Sequence, residues 1–167
     1  MDIAPVGCFP RSGGALKSIN RIGIHAGLDR VYRAAADVLE WPRLLSHYRW
    51  VRVVEGSAGD AECIVEMAAH RNGFPCKWQA RRTLHPAQSR IHYRHTKSTW
   101  TSGMDVWWTL EALEGGLVEA RITHEMPVSG NRPLEWFRGF VVGKLFVENI
   151  ADKTLAGLKR HLEGGLS

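Results

Sequence analysis

The run DVLEWPRLLSHYRWVRVVEG, residues 37–56, contains the transition that decides the fold. Its first half holds the pair Trp41-Pro42, and because proline is well tolerated in the first turn of a helix, a short helix is predicted here. Its second half, YRWVRVVE, is rich in β-branched and aromatic residues, which favour a strand. The chain is therefore predicted to change from helix to strand at Tyr48.

Upstream of this run, the segment SINRIGIHA, residues 18–26, alternates in side-chain character and is predicted to form an edge strand. A short helix is predicted after it, with Asp29 as a candidate N-terminal cap. Residues 1–16 are rich in proline and glycine and are predicted to be a flexible lead-in. Residues 17–167 are then expected to form a single domain.

Downstream, the sequence has a period of two as far as Met126. Short turn-rich links separate the segments, and the pair Asn72-Gly73 is a strong hairpin signal. Consecutive strands with such links predict an antiparallel meander. The six predicted strands are YRWVRVVE (48–55), AECIVEMAAH (61–70), FPCKWQARRTL (74–84), SRIHYRHTK (89–97), MDVWWTLEAL (104–113) and LVEARITHEM (117–126).

Residues 132–163 return to a helical period. Apolar residues recur there at three- and four-residue spacing, and Gly164-Gly165 is predicted to end the helix. A long helix with one apolar stripe must bury that stripe against a sheet, so the fold class is α+β. If the sheet is strongly curved, helix and sheet can enclose a cavity. The predicted stripe includes Ala151, Leu155, Leu158 and Leu162.

Composition narrows the function classes. The net charge of +5 and the pI of about 9.4 permit an acidic partner. The basic residues form no run, however, and no RNA-binding signature occurs, so no nucleic-acid partner is expected. Three cysteines without CxxC spacing make a disulfide framework or zinc site improbable. No secretory signal is predicted, because the start MDIAPVGCFPRSGG has neither a basic region nor a long apolar region. No transmembrane segment is predicted, because the longest nearly apolar stretch spans only residues 139–147 and is interrupted by Lys144. We expect a cytoplasmic location.

Strand alternation predicts which side chains face the interior. In the fourth strand, Cys76, Trp78 and Arg82 share the apolar face. A buried guanidinium is costly without a partner, so Arg82 needs a carboxylate, a polar ligand or water. A structural salt bridge and a ligand contact both remain open for this residue.

Other strands add candidates on the same face. Tyr93 lies inward in the fifth strand, Met104 and Trp108 in the sixth, and His124 in the last. A histidine on an apolar face is either a satisfied core residue or a catalytic group, and His124 is open to both interpretations. The phenol of Tyr48, where helix meets strand, is either a cavity donor or a rim group.

The order of these predicted elements and the candidate residues on them resemble the polyketide cyclase/aromatase branch of the START-like, Bet v 1-like ligand-binding superfamily. The resemblance is carried by the acidic residue, the Trp-Pro pair, the apolar-rich turn and the second strand within residues 37–56. The later strands and the final helix fit the same pattern, so the resemblance covers residues 18–163.

The resemblance implies a helix-grip fold, in which a curved seven-stranded antiparallel sheet wraps the C-terminal helix around a deep cavity. Tyr48 and Arg82 stand at positions that match a pocket tyrosine and a pocket arginine in the family. Trp78 and Trp108 match pocket aromatic residues, whereas Cys76 stands where similar cyclases have an aromatic residue.

The activity implied is aldol cyclisation and dehydration of a polyketide-like substrate, without a metal or redox cofactor. Arg82 cannot act as a base at neutral pH, so it would stabilise an enolate oxygen while Tyr48 donates or relays a proton. The catalytic candidates are thus Arg82 and Tyr48, and an acyl carrier protein is a candidate partner. Two alternatives remain: a lipid or quinone carrier without chemistry, and an interaction domain with a collapsed core.

Overall fold

The structure is a computed structural model that describes residues 15–71, 74–98, 101–127 and 148–164. Seven strands account for most of these residues. They are β1 (Ala15–His25), β2 (Tyr48–Glu55), β3 (Glu62–Arg71), β4 (Phe74–His85), β5 (Arg90–Ser98), β6 (Asp105–Ala112) and β7 (Leu117–Pro127). All belong to one antiparallel sheet with the order β1-β7-β6-β5-β4-β3-β2, so the predicted meander and the edge position of β1 are confirmed.

The described helices are α1 (Leu28–Ala36), α2 (Trp41–Leu44) and α3 (Glu148–Gly164). Pro42 lies in the first turn of α2, as predicted. The capping prediction for Asp29 is wrong, because Gly27 is the N-cap of α1 and Asp29 lies within the first turn. There its carboxylate still faces the positive end of the helix dipole. The first half of the predicted C-terminal helix, residues 132–147, lies outside the described residues.

Irregular pairing accompanies the curvature of the sheet. The register between β2 and β3 shifts twice, near Tyr48 and near Glu55, and the register between β4 and β5 shifts beside Ala80. Such bulges bend a strand and increase its twist, which helps a sheet wrap around a helix. The predicted Asn72-Gly73 turn lies outside the described residues, but the strands flanking it pair as a hairpin.

Helix α3 lies on the concave side of the sheet, where it packs against β1, α1 and α2. The described part of the predicted stripe is buried: Ala151, Leu155, Leu158 and Leu162. Each leucine contributes about 1.5–3 kcal/mol of burial free energy, so the stripe anchors the helix. This arrangement confirms the helix-grip fold. None of the described helices is long and apolar enough to cross a membrane. Residues 1–14, most of the predicted lead-in, lie outside the described residues.

Candidate functional site: an aromatic cavity beneath the helix

A cavity of about 290 Å³ lies between the concave face of the sheet and α3. Residues of β3 to β7 contribute most of its wall, and α2, the start of β2 and α3 contribute the rest. Its aromatic lining consists of Trp41, Tyr48, Trp78, Tyr93 and Trp108. Its polar lining includes His95, Ser98, Thr101, His124 and Thr154. Predominantly aromatic walls with a few convergent polar groups are typical of small-molecule sites.

The aromatic rings form a continuous wall. The ring of Trp41 lies 5.1 Å from that of Tyr48 and 5.7 Å from that of Trp108, centroid to centroid. Tyr48 in turn lies 6.2 Å from Trp78. All three pairs are tilted, a geometry that aromatic quadrupoles favour. The wall therefore offers broad apolar surfaces against which a flat ligand can lie.

Tyr48 is the first residue of β2, and its backbone N–H donates to the carbonyl of Leu45 just after α2. The short α2 thus directs the Tyr48 side chain into the cavity, where it is 6% exposed. Burial raises the pKa of the phenol well above its usual value. Tyr48 therefore stays protonated at neutral pH and can donate a hydrogen bond.

Two histidines share the cavity wall. The Nδ1 atom of His95 lies 2.8 Å from Oγ1 of Thr101, and its ring stacks on Trp78 at 6.0 Å. Burial lowers the pKa of His95 to about 4. Burial also lowers the pKa of His124, to about 3, and the neighbouring His95 adds to this effect. Both imidazoles are therefore neutral at pH 7 in the free protein.

Two buried polar atoms in this wall have no hydrogen-bond partner among the described residues. They are Oη of Tyr93 and Nδ1 of His124. Buried polar atoms are almost always paired, and leaving one unpaired costs about 1–3 kcal/mol. Since both residues line the cavity, these atoms are available to hydroxyl or carbonyl groups of a ligand.

Arg82 occupies a different place from the one expected. It is buried, at 1% exposure, as the alternation predicted, but it is not among the residues that line the cavity. Its Nη1 donates to the carbonyl of Ala36 at the end of α1, at 2.9 Å. Its Nη2 donates to the carbonyls of Ala58, at 2.6 Å, and Asp60, at 3.3 Å. The partner is thus the backbone, a possibility that the sequence reasoning did not include.

The structure brings most of the other sequence candidates together. The cavity wall includes Tyr48, Trp78, Trp108, His124, Cys76, Tyr93 and Met104. Several polar and aromatic lining residues were not predicted as site residues: Trp41, His95, Ser98, Thr101 and Thr154. A signal existed for His95, which shares a strand face with Tyr93, and for Thr154, which neighbours the apolar stripe of α3. Trp41 was interpreted as packing, although its ring contacts both Tyr48 and Trp108.

Within the described ranges, no three His, Cys, Asp or Glu side chains are grouped as metal ligands would be. The chemistry available from the described wall is hydrogen bonding by phenol, hydroxyl and neutral imidazole groups, together with proton transfer by imidazole.

Comparison with known proteins places this arrangement in a family. Residues 24–154 match the family described as polyketide cyclase/dehydrase and lipid transport. No curated protein sequence matches the chain.

Solved structures share the fold. The Zhui aromatase/cyclase from Streptomyces sp. R1128 is 18% identical with a TM-score of 0.78, covering 92% of this chain and 96% of that one. The di-domain aromatase/cyclase BexL from the BE-7585A biosynthetic pathway is 28% identical with a TM-score of 0.69, and 89% of this chain matches 46% of BexL. The chain thus spans about half of BexL. A START superfamily protein from Mycobacterium smegmatis is 12% identical, with a TM-score of 0.69, covering 91% of this chain and 99% of that one.

Proposed function

The chain belongs to the polyketide cyclase/dehydrase and lipid transport family, and from that premise we propose that it binds a polyketide-like ligand in the aromatic cavity and promotes its aldol cyclisation and dehydration. The observation that carries the proposal is the pair of unpartnered polar atoms, Oη of Tyr93 and Nδ1 of His124, in an otherwise aromatic wall. A poly-β-ketone has flat unsaturated segments for the rings, ketone oxygens that can accept a hydrogen bond from the Tyr93 phenol, and acidic methylene protons for Nδ1 of His124.

The first step is enolate formation. Nδ1 of His124 accepts the acidic proton of a methylene group between two ketones, and the electron pair passes to a ketone oxygen. The phenol of Tyr48 donates a hydrogen bond to that oxygen as negative charge develops. The low pKa of His124 applies to the empty cavity. An enolate beside the ring stabilises the imidazolium and raises that pKa.

Ring closure and water loss follow from the same groups. The enolate carbon attacks a second ketone carbon, a carbon–carbon bond forms, and the resulting alkoxide takes the proton back from His124. Loss of a further methylene proton and of the hydroxyl group releases one water and leaves a conjugated ring. The aromatic wall of Trp41, Trp78 and Trp108 holds the chain folded so that the reacting carbons meet.

The role expected for Arg82 changes accordingly. With its guanidinium bound to three backbone carbonyls, we assign Arg82 to holding α1 and the β2–β3 link against β4. An acyl carrier protein remains a candidate for delivering the substrate, and a cytoplasmic location remains a prediction.

The test is a cyclisation assay with a linear tetraketone, in which attack by a methylene between two ketones closes a six-membered ring and produces an aromatic chromophore. The proposal expects product from the wild type, at least about tenfold slower product formation by His124→Gln, and an unchanged rate for Trp107→Phe on the opposite sheet face. No acceleration by the wild type over buffer would exclude the cyclase activity.

One observation favours the alternative of a lipid or quinone carrier. The titratable rings described in the cavity wall are all neutral at pH 7, and Lys77 at its edge forms an ion pair with Glu66 at 3.1 Å. A wall of this kind suits a neutral ligand that is bound without reaction. Native mass spectrometry of the protein from its own host separates the two functions. An unchanged lipid or quinone supports the carrier, and a cyclised aromatic product supports the enzyme.

A further inference from the structure

A second depression, of about 520 Å³, lies beside α3 where the helix passes the end of α2 and the start of β2. We call it the basic groove. It is lined chiefly by His47, His70, Asp152, Lys153, Gly157 and Arg160. The spacing of Lys153, Gly157 and Arg160 places them on one face of α3. The cavity is lined by Ile150, Ala151 and Thr154 of the same helix, and none of the residues lining the groove also lines the cavity.

The charges in the groove are unbalanced. Lys153 and Arg160 are both exposed, and neither forms a salt bridge within the described part of the chain. The single carboxylate among the lining residues is Asp152, and its Oδ1 accepts a hydrogen bond from Asn20 of β1 at 2.8 Å. Two cations therefore face one partly engaged anion.

The inner wall of the groove is a buried imidazole. His47 is 9% exposed, and its Nε2 lies 2.9 Å from Oγ1 of Thr154. Because the Thr154 hydroxyl donates to the carbonyl of Ile150 at 2.7 Å, Nε2 of His47 must be the donor. Burial, together with the smaller effect of the charges of Lys153 and Arg160, lowers the pKa of His47 to about 4. The ring is thus neutral, and it leaves the cationic field of the groove intact.

The floor of the groove is fixed by close packing. A Cβ atom on Gly157 would lie 2.4 Å from Cδ2 of Leu45, a side chain that is 1% exposed. Glycine at this position lets the backbone of α3 approach the end of α2 more closely than any other residue would allow. Lys153 and Arg160 therefore project from a rigid base with constant spacing.

We propose that the basic groove binds the phosphate group of a phosphate ester, held by Lys153 and Arg160. Arginine presents a planar fork that matches two phosphate oxygens, and lysine adds a compact charge. Two cations neutralise a dianion, whereas a single carboxylate would neutralise only one of them. This inference does not depend on the reaction proposed for the cavity.

The test uses titrations of inorganic phosphate, phenyl phosphate and diethyl phosphate, followed by NMR shifts of α3 amides and by calorimetry. The variants are Lys153→Gln, Arg160→Gln and the double variant. The controls are Lys97→Gln and Arg30→Gln, which remove exposed cations outside the groove. We expect saturable phosphate binding that weakens about tenfold or more in the double variant and less than about twofold in either control.

The three ligands distinguish the source of the phosphate. Binding of inorganic phosphate and phenyl phosphate but not of diethyl phosphate supports a small phosphate monoester as ligand. Equal binding of diethyl phosphate supports the phosphodiester arm of a carrier. The urea midpoint of each variant should equal that of the wild type, because both side chains are exposed. If phosphate binding weakened equally in the double variant and in the controls, the result would show only general attraction by a basic surface and would overturn the proposal. The absence of saturable phosphate binding to the wild type would overturn it as well.

Discussion

Two buried polar regions lie on the concave face of one sheet, and they differ in how their hydrogen bonds are satisfied. At the Arg82 region, the guanidinium donates to the carbonyls of Ala36, Ala58 and Asp60. At the histidine region, Oη of Tyr93 and Nδ1 of His124 have no partner among the described residues. The fold uses both terminal nitrogens of the Arg82 guanidinium and leaves only its Nε without a partner among the described residues, and Arg82 does not line the cavity. The two unpaired atoms of the histidine region belong to residues that line the cavity, so they retain capacity for a ligand. Burial of a polar residue therefore does not by itself identify a binding site.

The largest expected effect is on the Arg82 region. Arg82→Met removes the shared donor of three backbone carbonyls, so we expect a loss of about 3 kcal/mol or more in the free energy of unfolding. The matched control is Arg81→Met on the opposite face, where the exposed pair with Glu62 spans 3.6 Å. That control should cost less than about 1 kcal/mol. Urea midpoints measure the stability of both variants. If Arg82→Met had unchanged stability but no longer bound ligand, Arg82 would have to be a ligand-binding residue.

The histidine region should make stability depend on pH. The folded-state pKa values of His95 and His124, about 4 and about 3, lie below the usual 6.5. The unfolded chain therefore binds more protons between these limits, and stability falls as the pH drops below about 6.5. We expect a loss on the order of 1 kcal/mol per pH unit for each histidine that stays neutral. His47, with a pKa of about 4, contributes in the same direction.

Urea midpoints measured at a series of pH values test this dependence. His124→Gln should flatten the curve, and His161→Gln, which removes an exposed histidine of α3, should not. A curve whose slope is the same in the wild type and in His124→Gln would mean that His124 is already charged or exposed in the folded state.

A smaller, purely functional effect is expected at Tyr48. Tyr48→Phe keeps the ring and removes the hydroxyl, so turnover or ligand affinity should fall about tenfold while stability changes by less than about 1 kcal/mol. Tyr32→Phe is the control, because that phenol lies outside the cavity wall and donates a long hydrogen bond, of 3.5 Å, to the carbonyl of Arg90. Equal losses in both variants would argue against a specific role for Tyr48.

The smallest effect concerns fluorescence. A quinone bound in the cavity should quench Trp108, which lines it, and leave Trp107 little affected, since that ring stacks on His92 at 4.1 Å on the other face. Trp108→Phe should therefore reduce the fractional quenching more than Trp107→Phe does. If the fluorescence of the two variants were quenched to the same extent, the quinone would bind outside the cavity.

Much of the fold could be predicted because it rests on local periodicity. The predicted bounds of β2, 48–55, are those of the structure, and alternation placed Trp78, Trp108 and Arg82 inward correctly. Period-two patterns report the face of a sheet directly. The apolar stripe of α3 could likewise be predicted from the three- and four-residue spacing of its side chains.

The partners of the polar side chains were not predictable in this way. Arg82 binds carbonyls 22 to 46 positions away in the chain, and backbone acceptors leave no trace in the sequence. His47 and Thr154 are 107 positions apart and meet only because α3 crosses the end of α2. Alternation along the strands therefore predicts which side chains lie on the buried face. It does not predict which of them bind the backbone and which face a ligand, because that depends on contacts between distant parts of the chain.

The most direct test compares the two regions in one NMR experiment on the full chain. The imidazole nitrogens of His95 and His124 and the guanidinium nitrogens of Arg82 are followed while a dihydroxynaphthoquinone is added. We predict that the histidine nitrogens shift in a saturable manner and that the Arg82 nitrogens, held by backbone carbonyls, stay where they are. Shifts at Arg82 with unchanged histidine resonances would contradict this assignment and place the ligand at the other end of the sheet.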